Sequence, residues 1–162
     1  TDGDYTLLGN KNIPINSRLA QQMLRNEIGY MFQNYALLEN ETVESNLRIG
    51  MQYGKYDNKK SAIDQVLEEI HLPGINKRKV HTLSGGEQQR VALGRLLLKP
   101  CSIVLADEPT GNLDRTNKFI VMDLLENLRN KGKTILIVTH DLDLLSRFDV
   151  VFDLDKINRS YI

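Results

Sequence analysis

Two short apolar runs with an amphipathic helix between them limit this chain more than any other feature. The runs are IVLA (103–106) and TILIVT (134–139), each bounded by polar residues. A strand that is apolar on both sides is covered on both faces of its sheet. Between them Asp114 is placed to cap a helix, Val121, Leu124, Leu125 and Leu128 fall on one of its faces, and Gly132 ends it. Strand, helix, strand with buried strands means a parallel sheet joined by a right-handed crossover. The fold class is therefore α/β. Both runs also end in groups able to do chemistry: Asp107-Glu108 after the first and His140 after the second. In open α/β sheets, ligands bind at the carboxyl ends of the strands.

The rest of the chain is organised around that sheet. A strand is predicted over 4–8, with GNKN (9–12) as a turn. Ser17 is placed to cap a helix through Leu19, Ala20, Met23 and Leu24, and 27–32 reads as a strand from the alternation of Ile28, Tyr30 and Phe32, ending at Gln33. Residues 34–100 hold no convincing strand. A short helix is predicted near 43–49, then a polar linker MQYGKYDNKK, then a helix with Ile63, Val66, Leu67 and Ile70 as one stripe, stopped at Pro73-Gly74. A short helix over 141–146 and a third core strand over 150–154 complete the reading. Three units follow: 1–33 as part of a catalytic core, 34–100 as an inserted helical subdomain, and 101–162 as the remainder of the core.

Composition narrows the function. With 21 Lys+Arg against 21 Asp+Glu the chain lacks the basic excess of a nucleic-acid surface. No apolar run approaches the roughly 20 residues of a membrane span, so direct insertion is not expected. Cys101 is the sole cysteine, which excludes an internal disulfide and fits a reducing compartment; it is expected to be an inert thiol with little exposure. The chain begins at Thr1 with neither methionine nor a leader-like stretch, which reads as a piece of a longer protein.

The string LSGGEQQR (83–90) opens a helix. Ser84 with Glu87 three residues later is a capping box, and Gly85-Gly86 lets a ligand approach the backbone. The exposed N–H groups and the helix dipole favour an anion there. A bare S-x-x-E is simply a capped helix; the full string says more. Likewise, an apolar strand ending in Asp-Glu is by itself only a strand end, but here PTGNLD (109–114) follows at once. By chemistry, Asp107 is placed to hold Mg²⁺ directly or through water, and Glu108 to orient or deprotonate an attacking water. His71 and His81 match no pattern and are read as surface or linker residues.

LSGGEQQR and SIVLADEPTGNLD (102–114) together resemble the signature motif and the Walker B/D-loop block of an ABC-type ATPase. Gln33, in FQNYALLENETVESNL, resembles the Q-loop, and His140 the switch histidine of the H-loop. The resemblance runs from Gln33 to His140. It implies an incomplete P-loop NTPase (RecA-like) core with a mostly parallel sheet and an inserted α-helical subdomain. The implied ligands are ATP and Mg²⁺. The implied roles are Glu108 as catalytic base, His140 as hydrogen-bonder to the γ-phosphate, and Gln33 as sensor of Mg²⁺ and water and contact to the transport partner. Ser84, Gly85, Gly86 and Glu87 would act in trans on the nucleotide of a second, head-to-tail domain, with Asp114 at the D-loop position. Arg95 is expected to brace the subdomain. The implied partners are a membrane-spanning permease and that second domain, at the cytoplasmic face of the cell membrane. YALLENETVESNL and ADEPTGNLD most resemble the subgroup exporting lipoproteins, macrolides and antimicrobial peptides. One departure matters: no G-x-x-x-x-G-K-[ST] occurs in the 162 residues, and the resemblance places that loop upstream of Thr1. Without it, little nucleotide affinity is expected. Two other readings stay open: a degenerate domain that only binds or regulates a partner, and an ABC protein of translation or DNA repair.

Overall fold

The computed structural model describes residues 3–154 and Lys156. It opens with a two-residue antiparallel pair, β1 (Thr6–Leu7) and β2 (Asn10–Lys11). Its turn is at Leu8 and Gly9, both at positive φ (48° and 77°), the combination that the tightest hairpins need. Asn10 and Lys11 are thus return strand, not the turn that GNKN suggested. Helix α1 (Arg18–Asn26) follows, with the Ser17 hydroxyl accepting from the Ala20 N–H at 3.1 Å.

Strand β3 (Ile28–Met31) leads into the helical middle: α2 (Val43–Gly50), α3 (Lys59–Glu69) and α4 (Gly85–Leu98). Each helix begins on a side-chain cap: Thr42, Asn58 and Ser84. Their apolar stripes meet in one core, where Leu47, Ile63, Leu67, Ile70 and Leu93 are almost wholly buried. Strand β4 (Ile103–Asp107), helix α5 (Arg115–Asn130) and strand β5 (Thr134–Val138) follow, and a 3-10 turn (Leu142–Arg147) takes the place of the short helix expected there. The four stripe residues of α5 are all buried.

Among the described residues the main sheet has the order β3-β4-β5, parallel throughout. Met31 lies beside Ala106 and Asp107 beside Val138, so the three strands end together on one edge. The strand at 27–32 is confirmed, with its buried face on the other phase. Gly29 and Met31 point inward, while Tyr30 and Phe32 are exposed and their rings lie 4.3 Å apart. Gly29 is small for a reason: a Cβ there would come within 2.8 Å of Leu96 Cδ2 and 2.9 Å of Cys101 Sγ.

The expected strand at 150–154 does not form. Val150, Phe152 and Leu154 are 69%, 71% and 65% exposed, and none of them enters a ladder. A β-strand exists only by pairing, and this apolar segment lies against no described strand.

Candidate active site

The site is built where β4 and β5 end. Asp107 is the last residue of β4, half-buried, and its carboxylate takes no hydrogen bond from any described residue. Glu108 keeps one more ladder bond, donating its N–H to the Val138 carbonyl at 2.9 Å, then turns into the left-handed region at φ 45°. A non-glycine residue there is uncommon and marks a constrained site. The turn directs the Glu108 carboxylate across to the end of β5. Its Oε1 accepts from the His140 backbone N–H at 2.9 Å and lies 2.7 Å from His140 Nδ1. Its Oε2 accepts from the Thr139 hydroxyl at 3.2 Å. The Glu108 side chain is only 17% exposed, whereas the His140 ring is 85% exposed. Nδ1 is the ring nitrogen that faces the carboxylate, which leaves Nε2 on the exposed side of the ring.

Glu108, Thr110, Gly111, Lys118, His140 and Asp141 line a cavity of about 360 Å³. Lys118 and Asp141 form an ion pair at its wall, and the Lys118 hydrogen bond holds the Asp141 carboxyl below the usual carboxylate range. Asp141 also accepts from the Asp143 N–H, capping the turn that follows His140.

Gln33 lies two residues beyond Met31, just as Glu108 lies two beyond Ala106, so both stand past the same sheet edge. It is exposed in a turn that continues through Tyr35 (φ 63°) and Ala36 (φ 46°). Arg95 reaches back from α4 and donates to both of those carbonyls, at 2.7 and 2.8 Å. That is the bracing expected of it. The cost of partial burial pushes its guanidinium below the ordinary value.

The signature string is a capped helix start. The Ser84 hydroxyl accepts from the Glu87 N–H at 3.3 Å, and Glu87 Oε2 accepts from the Ser84 N–H at 2.8 Å. Glu87 is thereby occupied in the capping box. The two glycines differ. A Cβ on Gly85 would meet only the Tyr35 hydroxyl, at 3.2 Å, whereas one on Gly86 would come within 2.5 Å of Asn117 Cγ. Gly86 is therefore small to admit α5, while Ser84 and Gly85 are exposed at the helix start.

Sequence reasoning did not single out Thr139, Gln89, Arg90 or Asn117. Gln89 is buried and donates to the Pro109 carbonyl at 2.6 Å. Arg90 Nη1 donates to Asn117 Oδ1 at 2.5 Å. Asn117 stands at the third helical position after the Asp114 cap, the same spacing as the capping box, and that was the available signal.

Magnesium asks for one or two carboxylates plus water and phosphate oxygens rather than an all-protein cage. The unengaged Asp107 carboxylate fits that demand. Among the described residues no group of three or more His, Cys, Asp or Glu converges as a complete metal set.

The comparisons agree with this geometry. Residues 5–111 match the family model described as ABC transporter. The macrolide export ATP-binding/permease protein MacB of Chlorobium phaeobacteroides is 40% identical over 148 residues, which cover 88% of this chain and 22% of that protein. MacB of Shigella flexneri is 33% identical over 95% of this chain and 24% of its own length. The chain thus spans about a quarter of the length of these relatives. Among solved structures, the dimeric post-hydrolysis state of the ATP-binding cassette MJ0796, bound to ADP and Pi, superposes with TM-score 0.75 at 30% identity, over 89% of this chain and 65% of that one. A capped signature helix, an Asp-Glu strand end bonded to a histidine, and these matches lead to one conclusion: the chain belongs to the ABC transporter family and has the α/β fold of its ATP-binding cassettes.

Proposed function

We propose that this chain is the ATP-hydrolysing part of an exporter of the MacB type, which moves a lipoprotein, peptide or macrolide-like antimicrobial through a membrane-spanning permease. The observation that carries the reading is the Glu108–His140 pair at the joint carboxyl ends of β4 and β5. A domain that merely bound a partner would have no use for a left-handed glutamate held against a histidine. In this reading Glu108 takes the proton of the attacking water, on whichever carboxylate lone pair the His140 and Thr139 bonds leave open. His140, as the imidazolium in which both ring nitrogens donate, positions Glu108 through Nδ1–H and meets the terminal phosphate with Nε2–H. Asp107 would hold Mg²⁺, which would supply charge neutralisation at the phosphates, and Gln33 would sense it from the same sheet edge. Attack on the phosphorus breaks the bond to the leaving oxygen and releases inorganic phosphate.

The β- and γ-phosphates also need a glycine-rich loop with its lysine, which these 162 residues do not contain. Alone they should bind Mg-ATP weakly. Ser84 and Gly85 open toward solvent at a helix start and serve the nucleotide of a second cassette, docked head to tail. No helix among the described residues is long and apolar enough to cross a membrane. The permease contact is assigned to the helical subdomain around Gln33, at the cytoplasmic face of the membrane.

The test is Glu108→Gln in the full-length protein. Turnover should fall by about 10²-fold or more, the scale of a lost general base, with ATP binding retained. Full turnover would exclude Glu108 as the base.

A further inference from the structure

Asn117 joins the signature helix to the D-loop, and no motif assigns it that role. Its Oδ1 receives the Arg90 guanidinium at 2.5 Å, and its Nδ2 donates to Asp114 Oδ2 at 2.6 Å. Its backbone N–H donates to Asp114 Oδ1 at 2.9 Å. Its amide also fills the space that a Cβ on Gly86 would take, 2.5 Å away at the nearest atom. One amide thus touches the signature backbone, a signature side chain and the D-loop carboxylate. Beside it the Gln89–Pro109 bond ties the same two segments. The seam is polar and incompletely satisfied: Gln89 Oε1, Arg90 Nε and Thr110 Oγ1 are buried without a hydrogen-bond partner. Burying such groups costs stability, so the seam is a poor way to strengthen the fold and a good way to fix one register.

We propose that Asn117 is a positioning residue that makes Ser84, Gly85 and Asp114 a single rigid body, presented together to the nucleotide of the partner cassette. This rests on the trans reading given above. Without Asn117 the helix start and the D-loop are tied, among the described residues, only through the Gln89–Pro109 bond, and docking must order both. A cassette's own nucleotide affinity does not depend on this seam.

The test uses the full-length protein in a Glu108→Gln background, reading ATP-driven dimerisation by light scattering and nucleotide binding by a fluorescent ATP analogue. Asn117→Ala should raise the ATP concentration for half-maximal dimerisation about tenfold, equivalent to one charged hydrogen bond, and leave analogue binding unchanged. Asn117→Asp keeps an acceptor for Arg90 but sets a carboxylate against Asp114, and should be at least as impaired. The exchange Asp114→Asn/Asn117→Asp restores an amide–carboxylate pair and should recover dimerisation relative to both Asp114→Asn and Asn117→Asp alone, the first of which carries the same loss of the Asp114 carboxylate. Failure of the exchange to recover, or unchanged dimerisation in Asn117→Asp, overturns the proposal. If Asn117→Ala does not fold, the two aspartate variants decide the question alone. Gly85→Asp separates the two ideas. If it leaves dimerisation intact, the trans reading itself fails; if it blocks dimerisation while the Asn117 variants do not, only the role of Asn117 fails.

Discussion

Gly85 and Gly86 are adjacent and identical, yet the structure assigns them opposite sensitivities. Replacing Gly86 with alanine places a methyl 2.5 Å from Asn117 Cγ, 2.6 Å from Oδ1 and 2.8 Å from Nδ2. Non-bonded carbon and oxygen atoms do not approach so closely, so the amide must move. It is held by Arg90 on one side and Asp114 on the other, so moving it breaks at least one of those bonds. A hydrogen bond to a charged group contributes about 1.5–3 kcal/mol. Alanine returns about 0.5–1 kcal/mol of helix propensity. The expected net loss is therefore about 0.5–2.5 kcal/mol, or a melting point lower by roughly 1–10 °C for a domain of this size. Gly85→Ala meets only the Tyr35 hydroxyl at 3.2 Å and should change the melting point little. Thermal unfolding of both variants is the assay, with Gly86→Ala repeated in an Asn117→Ala background, where its cost should largely vanish. If Gly86→Ala is as mild as Gly85→Ala, the packing argument is wrong.

Three further outcomes follow from other contacts. Gly29→Ala would press on Leu96 and Cys101 at under 3 Å, and should cost about 1–3 kcal/mol of stability by urea unfolding, partly relieved by Cys101→Ala. Arg95→Ala removes both bonds to the Tyr35 and Ala36 carbonyls, and should speed amide exchange in residues 33–38 about tenfold more than elsewhere. Asp114 and Asp141 both have carboxyl pKa values lowered on folding, by the Asn117 N–H and by Lys118 respectively. A lowered folded value means that their stabilisation is complete above the ordinary aspartate value of about 3.9 and is lost as pH falls below it. The urea midpoint should therefore drop below about pH 4, less steeply in Asp114→Asn.

The parts of the molecule legible in the sequence were those with a local cause. Ser84 and Glu87 announce a capping box by spacing alone, and it forms. Val121, Leu124, Leu125 and Leu128 announce one buried face, and all four are buried. The strand at 150–154 failed because apolarity is a local signal while pairing is not. The phase of β3 was hidden because its inward face carries Gly29, kept small by Leu96 and Cys101, which lie far off in sequence. The same distance concealed the roles within the site. Nothing near Thr139 says that its hydroxyl serves Glu108, and nothing near Arg90 says that its partner is Asn117. Gly86 was legible as a required glycine, but the side chain that a Cβ there would meet, Asn117 of α5, was not.

In the proposed mechanism Glu108 works on a nucleotide completed by the Ser84–Gly85 face of a second chain. Mixing two inactive full-length variants, Glu108→Gln and Gly85→Asp, tests it directly. In a head-to-tail pair of one of each, one site carries both lesions and the other carries neither. ATP hydrolysis should reappear on mixing, up to about a quarter of the wild-type rate if chains pair at random in a two-fold dimer and the one intact site suffices to hold the mixed pair together. If signature and base instead serve the same chain's nucleotide, every site keeps a lesion, and a mixture no more active than its separate components would contradict the trans arrangement.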